Sequence, residues 1–143
     1  MFRKSLITLA VGLSFAGAAY AEVHEVKMLN KGEEGTMVFE PSFLKIASGD
    51  SVVFRASDKG HNAETAKGLI PDGAEGFKGK INQEIEATFE VDGVYGVICK
   101  PHFAMGMVMT IAVGDVEAAP SDFLEGRLPK KAKERFEAQL SNF

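Results

Sequence analysis

The 143-residue sequence contains a single cysteine, Cys99, followed by His102 and by methionines at 105, 107 and 109, all within the run "VICKPHFAMGMVM". Thiolate, imidazole and thioether are soft or borderline metal donors, and each also has uses without a metal. A Cys–His pair can supply a nucleophile, but no oxyanion-hole motif accompanies this one. Covalent haem attachment needs Cys-x-x-Cys-His, and "ICKPHF" lacks both the first cysteine and the adjacent histidine. Zinc takes Cys and His but not thioether, and nothing nearby completes a closed tetrahedron. A cysteine ending "VYGVIC" could also be a small core hydrophobe. Copper accepts the whole set. Thiolate and thioether stabilise Cu(I), imidazole serves both oxidation states, and a trigonal His-His-Cys site with a weak axial Met carries single electrons.

The spacing makes mechanical sense. Cys99 closes one strand, His102, Met105 and Met107 follow in the loop before the next strand, and Pro101 stiffens the turn between Cys99 and His102. Met105 and Met107 are equivalent as ligand chemistry. The second imidazole is expected from His61, in "DKGHNAE", which must fold over the same end of the scaffold. His24 falls in the first strand and reads as an ordinary strand residue.

The elements that must position these groups are mostly strands. Stretches rich in β-branched and aromatic residues cover 23–29, 36–40, 43–47, 51–55, 86–91, 94–99 and 108–113, with turn signals such as "NKGEEG", "SGD" and "VGD" between them. In "EATFEV" the alternation puts Ala87, Phe89 and Val91 on one face and Glu86, Thr88 and Glu90 on the other. Half-buried strands of this kind build a two-sheet sandwich. Residues 56–83 hold five glycines, one proline and no sustained period. Loops beyond about 12–15 residues are usually functional or disordered, and this one carries His61. Within it, 63–67 reads as a short helical turn. The tail changes character: "LPKKAKERFEAQL" spaces Ala132, Phe136 and Leu140 four apart after Pro129, an amphipathic helix. "PSDFLEG" before it reads as a shorter helix capped by Ser121 or Asp122.

The N-terminus has Arg3 and Lys4, an apolar run from Leu6 to about Ala16, and small residues ending in Ala19-Tyr20-Ala21. This is the pattern of a secretory signal peptide cleaved after Ala21, leaving one domain over 22–143. A membrane span would need roughly 20 apolar residues. Cleavage removes two cations and no acid, so the net charge moves from −4 to −6. That balance argues against nucleic-acid binding, which runs on excess basic charge. Export permits disulfides, yet one cysteine can form none within a chain.

With "KGEEGTMVFEPSFLKI", "DKGHNAE", "IPDGAEGFKGKIN" and "CKPHFAMGMV", the sequence resembles the cupredoxins over essentially all of 22–143, in the branch with two helices after the last strand. The resemblance implies an all-β, Greek-key β-sandwich or barrel with two C-terminal α-helices. It implies one copper ion per monomer, held by His61, Cys99, His102 and Met107, which selects Met107 over Met105. Asn62 is expected to brace the ligand loops, and Met37 to pack near the His102 ring. An exposed His102 edge would pass electrons, with Lys31, Lys59, Lys78, Lys80 and Lys100 steering acidic partners. The implied role is a periplasmic electron carrier of denitrification rather than an enzyme. Its acceptor would be a nitrite reductase of the copper or cytochrome cd1 type and its donor a c-type cytochrome. A copper-buffering protein is the rival reading. The sequence departs from the family in two places: Lys100 stands where a hydroxyl residue able to bond Asn62 is common, and Ile98 where a lysine of the basic ring can occur.

Overall fold

The computed structural model describes residues 20–143, so the expected export segment, apart from Tyr20 and Ala21, lies outside the described residues. The expected strands form, with ends shifted by up to three residues. They are β1 (Val23–Gly32), β2 (Gly35–Glu40), β3 (Phe43–Ile46), β4 (Ser51–Arg55), β6 (Ile85–Thr88), β7 (Gly93–Ile98) and β8 (Val108–Val113), with β5 (Glu64–Thr65) inside the long segment. The helical turn expected at 63–67 is thus a two-residue strand: it pairs antiparallel with Val97 and Ile98 of β7. Its edge partner, rather than its own local preference, decides its conformation.

One sheet has the order β2-β1-β4-β6 and the other β3-β8-β7-β5. β1 runs parallel to β4 and β3 parallel to β8, because the chain crosses between sheets after β2 and returns after β3. The facing side chains of both sheets fill one core, with Met28, Phe39, Phe54, Val97, Met109 and Ile111 almost completely buried. Phe54 and Phe77 lie 5.5 Å apart between centroids, and Phe89 meets Tyr95 edge-on at 5.0 Å, so the aromatic rings interlock across the layer. Cys99 and Met107 belong to this core cluster, so the candidate ligands grow out of the best-packed part of the molecule.

Only one of the two expected C-terminal helices forms. α1 (Lys130–Leu140) follows Pro129 and buries Ala132 and Phe136. The "PSDFLEG" stretch is a turn, in which the Phe123 N–H donates to the Pro120 carbonyl and Glu125 to Asp122. The stretch from Pro120 to Gly126 could close only three i to i−4 bonds, too few to outweigh the cost of nucleating a helix. Phe123 still docks on Phe136, at 6.1 Å between centroids, which keeps its apolar role without a helix. α1 is tied to β8 by buried Gln139: its amide donates to the Val108 carbonyl at 2.9 Å, and its oxygen accepts from the Thr110 hydroxyl at 2.9 Å. Among the described residues no helix is long and apolar enough to cross a membrane.

Candidate metal centre

Cys99 directly follows β7, and the chain then makes a 3-10 turn over Lys100–Met105. The turn closes on itself through backbone bonds: His102 N–H donates to the Cys99 carbonyl, Met107 N–H to the His102 carbonyl, and Cys99 N–H to the Met107 carbonyl, at 3.0–3.1 Å. Gly106 ends it in the left-handed region at φ 86°. A Cβ there would also approach the Lys131 carbonyl to 3.0 Å, so glycine answers both the turn and the close passage of α1. These bonds tie the Met107 backbone to that of both Cys99 and His102. Met107 is 0% exposed and Met105 45%, so the structure separates the two methionines that ligand chemistry could not.

His61 comes from the long segment and is completely buried. Asn82 holds its loop from both sides, the side-chain oxygen accepting from Gly60 N–H at 2.7 Å and the backbone N–H donating to the His61 carbonyl at 2.8 Å. Asn82 sits at φ 66°, a conformation asparagine tolerates better than most residues. Asn30 at the far end of β1 accepts the His61 Nε2–H at 2.8 Å. That bond leaves the Nδ1 lone pair facing the Cys99 loop, the arrangement in which the outer ring nitrogen orients a ligand histidine.

The three donors converge. His61 Nδ1 and His102 Nδ1 are 3.1 Å apart, and Cys99 Sγ lies 3.7 Å from the first and 3.5 Å from the second. Two imidazole nitrogens and a sulfur facing one point, with Met107 in the same buried cluster as Cys99, fit the trigonal nitrogen–sulfur set that copper prefers. Burial pushes the His61 imidazole below its ordinary range, the neighbouring His102 ring adds to the effect, and both favour the neutral ring that can serve as a donor. Burial also pushes the Cys99 thiol up, partly opposed by the backbone N–H groups of Asn62 and His102. A metal arriving here must displace that thiol proton, so its binding tightens as pH rises.

The expected brace between the two loops forms without a hydroxyl. Asn62 Oδ1 accepts the Lys100 backbone N–H at 2.7 Å, and Asn62 Nδ2 donates to Glu64 Oε2 and to the Gly79 carbonyl, each at 3.1 Å. The side chain at position 100 is therefore free to be a lysine. Met37, expected near His102, packs against the core cluster that includes Cys99 and Met107. It sits at φ 50°, and its carbonyl accepts from Arg135.

Arg135, Asn30 and Asn82 escaped sequence reasoning. Arg135 on α1 donates to the carbonyls of Thr36, Met37 and Gly106 at 2.6–2.9 Å, tying the helix to β2 and to the end of the ligand turn. Its partners lie up to 99 positions away, so no local spacing announces it. Asn30 leaves one faint signal, an asparagine, a poor strand former, near the end of an otherwise regular strand.

His102 is half-buried, and Pro101, Met105 and Ile81 are exposed. Lys78, Lys80, Ile81, Lys100 and Pro101 line a shallow depression floored by Asn62. Lys31 and Lys59 are also exposed, next to Asn30 and in the His61 loop. His24 stands apart, bonded to Asp50 at 2.9 Å.

Two four-stranded sheets closed over a buried thiol and two imidazoles at one end define a cupredoxin. Residues 26–114 match the copper binding proteins of the plastocyanin/azurin family. The chain is 46% identical to pseudoazurin from Paracoccus pantotrophus over 99% of its length and 98% of that protein's. It is 47% identical to pseudoazurin from Methylorubrum extorquens over 80% of each. The crystal structure of pseudoazurin from Methylobacterium extorquens AM1 superposes with a TM-score of 0.79 at 40% identity, covering 84% of this chain and 98% of that one. The chain belongs to the plastocyanin/azurin family of copper-binding proteins, in its pseudoazurin branch. It is a blue copper electron carrier on that membership.

Proposed function

We propose that this carrier works as a monomer in the periplasm, taking single electrons from a c-type cytochrome and passing them to a nitrite reductase of the copper or cytochrome cd1 type. Its one copper is held by His61, Cys99, His102 and Met107. Copper bound there supplies a one-electron couple between Cu(I) and Cu(II).

The observation that carries this reading is that every donor is held by bonds that do not involve the metal. Asn30 and Asn82 hold His61, Asn62 ties its loop to Lys100, and the turn's own backbone bonds hold Cys99, His102 and Met107. Donors braced in this way move little when the charge between them changes, which suits electron transfer and opposes ready metal release. No substrate is transformed.

The half-buried His102 ring, with exposed Pro101, Met105 and Ile81 nearby, offers a short route for the electron between Cys99 and a docked partner. Lys31, Lys59, Lys78, Lys80 and Lys100 give this end a basic rim on a chain of net charge −4. Such a rim speeds encounter with an acidic partner without requiring a large interface. Export rests on the Arg3–Lys4, apolar and Ala-Tyr-Ala sequence of the N-terminus.

Stopped-flow oxidation of the reduced protein by nitrite reductase tests the pairing. The rate is expected to fall as ionic strength rises, and charge reversal at Lys78 or Lys100 to slow it at low salt. Absence of oxidation would sink the partner, and a rate indifferent to salt would sink the steering role of the lysines.

A further inference from the structure

The end of the sandwich opposite His61 carries a second cluster of metal-ligating groups. β1 starts there and reaches the first site at Asn30, six residues beyond His24, so the two clusters lie about 20 Å apart along the strand. Asp50 is 4% exposed and is the cluster's centre. Its Oδ1 accepts the Glu22 backbone N–H at 2.8 Å. Its Oδ2 accepts the His24 Nε2–H at 2.9 Å and the Ala47 N–H at 3.0 Å. Glu22 Oε2 stands 3.9 Å from the same His24 nitrogen. One donor atom from each of Glu22, His24 and Asp50 lies within 4.8 Å of the others.

Cleavage after Ala21, part of the export reading above and the premise here, changes the chemistry of this cluster. The Glu22 nitrogen, an amide in the uncut chain, becomes the α-amine of the mature protein. It adds a second nitrogen donor beside the imidazole and the buried carboxylate. Two nitrogens and carboxylate oxygens in a tetragonal arrangement are what Cu(II) and Ni(II) take.

We propose that the mature chain carries a second metal site, for Cu(II) or Ni(II), formed by the Glu22 α-amine, the His24 imidazole and the Asp50 carboxylate, with the Glu22 carboxylate completing it. On binding, the ammonium gives up one proton to solvent. The imidazole proton moves from Nε2 to Nδ1, freeing Nε2 for the metal, and the carboxylate enters already ionised. The site has no thiolate and holds its metal without the intense colour of the first.

The protein is exported, purified and weighed by mass spectrometry to establish its first residue. After the Cys99 site is filled with copper, Cu(II) is added. One further equivalent per chain is expected, giving a second electron-paramagnetic-resonance signal with wide copper hyperfine splitting and leaving the thiolate band unchanged. His24→Gln is expected to lose that equivalent and keep the thiolate band. One extra residue ahead of Glu22, or Asp50→Asn, is expected to weaken it by about tenfold or more. Undiminished binding by His24→Gln overturns the site. Undiminished binding by Asp50→Asn, with the thiolate band reporting an intact fold, moves the metal to the peptide nitrogens and overturns the carboxylate site. A mature chain starting elsewhere refutes the cleavage reading alone. A recombinant chain released at Glu22 then decides the metal site by the same titration, and failure to take the second equivalent overturns it.

Discussion

The two ends of the sandwich gather histidine in opposite ways. At the Cys99 end the imidazoles are braced by neutral amides: Asn30 on His61, Asn82 on the His61 loop, and Asn62 between the loops. At the other end a buried carboxylate, Asp50, collects a histidine and two backbone N–H groups. Neutral braces leave the charge at the first site to the thiol and whatever cation it holds. A carboxylate brace instead fixes a negative charge where the strand begins. One scaffold thus carries histidine braced by neutral amides at one end and histidine held by a buried carboxylate at the other, two surroundings that suit different donor chemistry.

The sharpest break in that comparison removes the thiol. Cys99→Ser is expected to abolish the intense visible band entirely while the Asp50 end keeps its structure, as read by far-UV circular dichroism. Next, Asn62→Ala strips three hydrogen bonds, two of them buried, from the loop brace. It should cost about 2–3 kcal/mol of stability in urea titrations and shift the reduction potential. Arg135→Met removes three charge-assisted bonds to carbonyls at the end of the ligand turn, and should cost about 2 kcal/mol without removing any copper donor.

The opposite end is read through pH. The Glu22 N–H, followed by the His24 bond, holds the Asp50 carboxyl below its ordinary value of 3.8. The unfolded chain therefore takes up that proton before the folded one does. Its contribution is complete above pH 3.8 and is lost as pH falls through the lowered folded value. Acid titration of stability should show a slope below that point which Asp50→Asn removes. The smallest effect belongs to Lys100→Thr. Since the brace uses the backbone N–H at position 100, stability should change by no more than about 0.5 kcal/mol. A loss comparable to that of Asn62→Ala would show that the side chain matters to the loop.

How legible these features were depends on where their partners lie. Cys99, His102 and Met107 share one loop, so their spacing alone exposed a site, although only burial distinguished Met107 from Met105 within the structure. His61 stood out as a histidine in an aperiodic segment. Asn30 and Arg135 did not, because their partners are 31 and up to 99 positions away and the sheet order alone brings them together. Strands with alternating burial were readable, whereas β5 is two residues long and exists because β7 offers an edge. The helix expected around Phe123 failed because it was inferred from a capping residue alone, in a stretch too short to repay helix nucleation.

The braced donors are expected to form an electron-transfer copper site. Its most direct test is to add one equivalent of Cu(II) to the purified metal-free protein and follow the visible spectrum through repeated reduction and reoxidation. An intense thiolate-to-copper band that bleaches on reduction and returns undiminished is the expected result. A colourless copper complex, or copper lost to a chelator on each reduction, would contradict it.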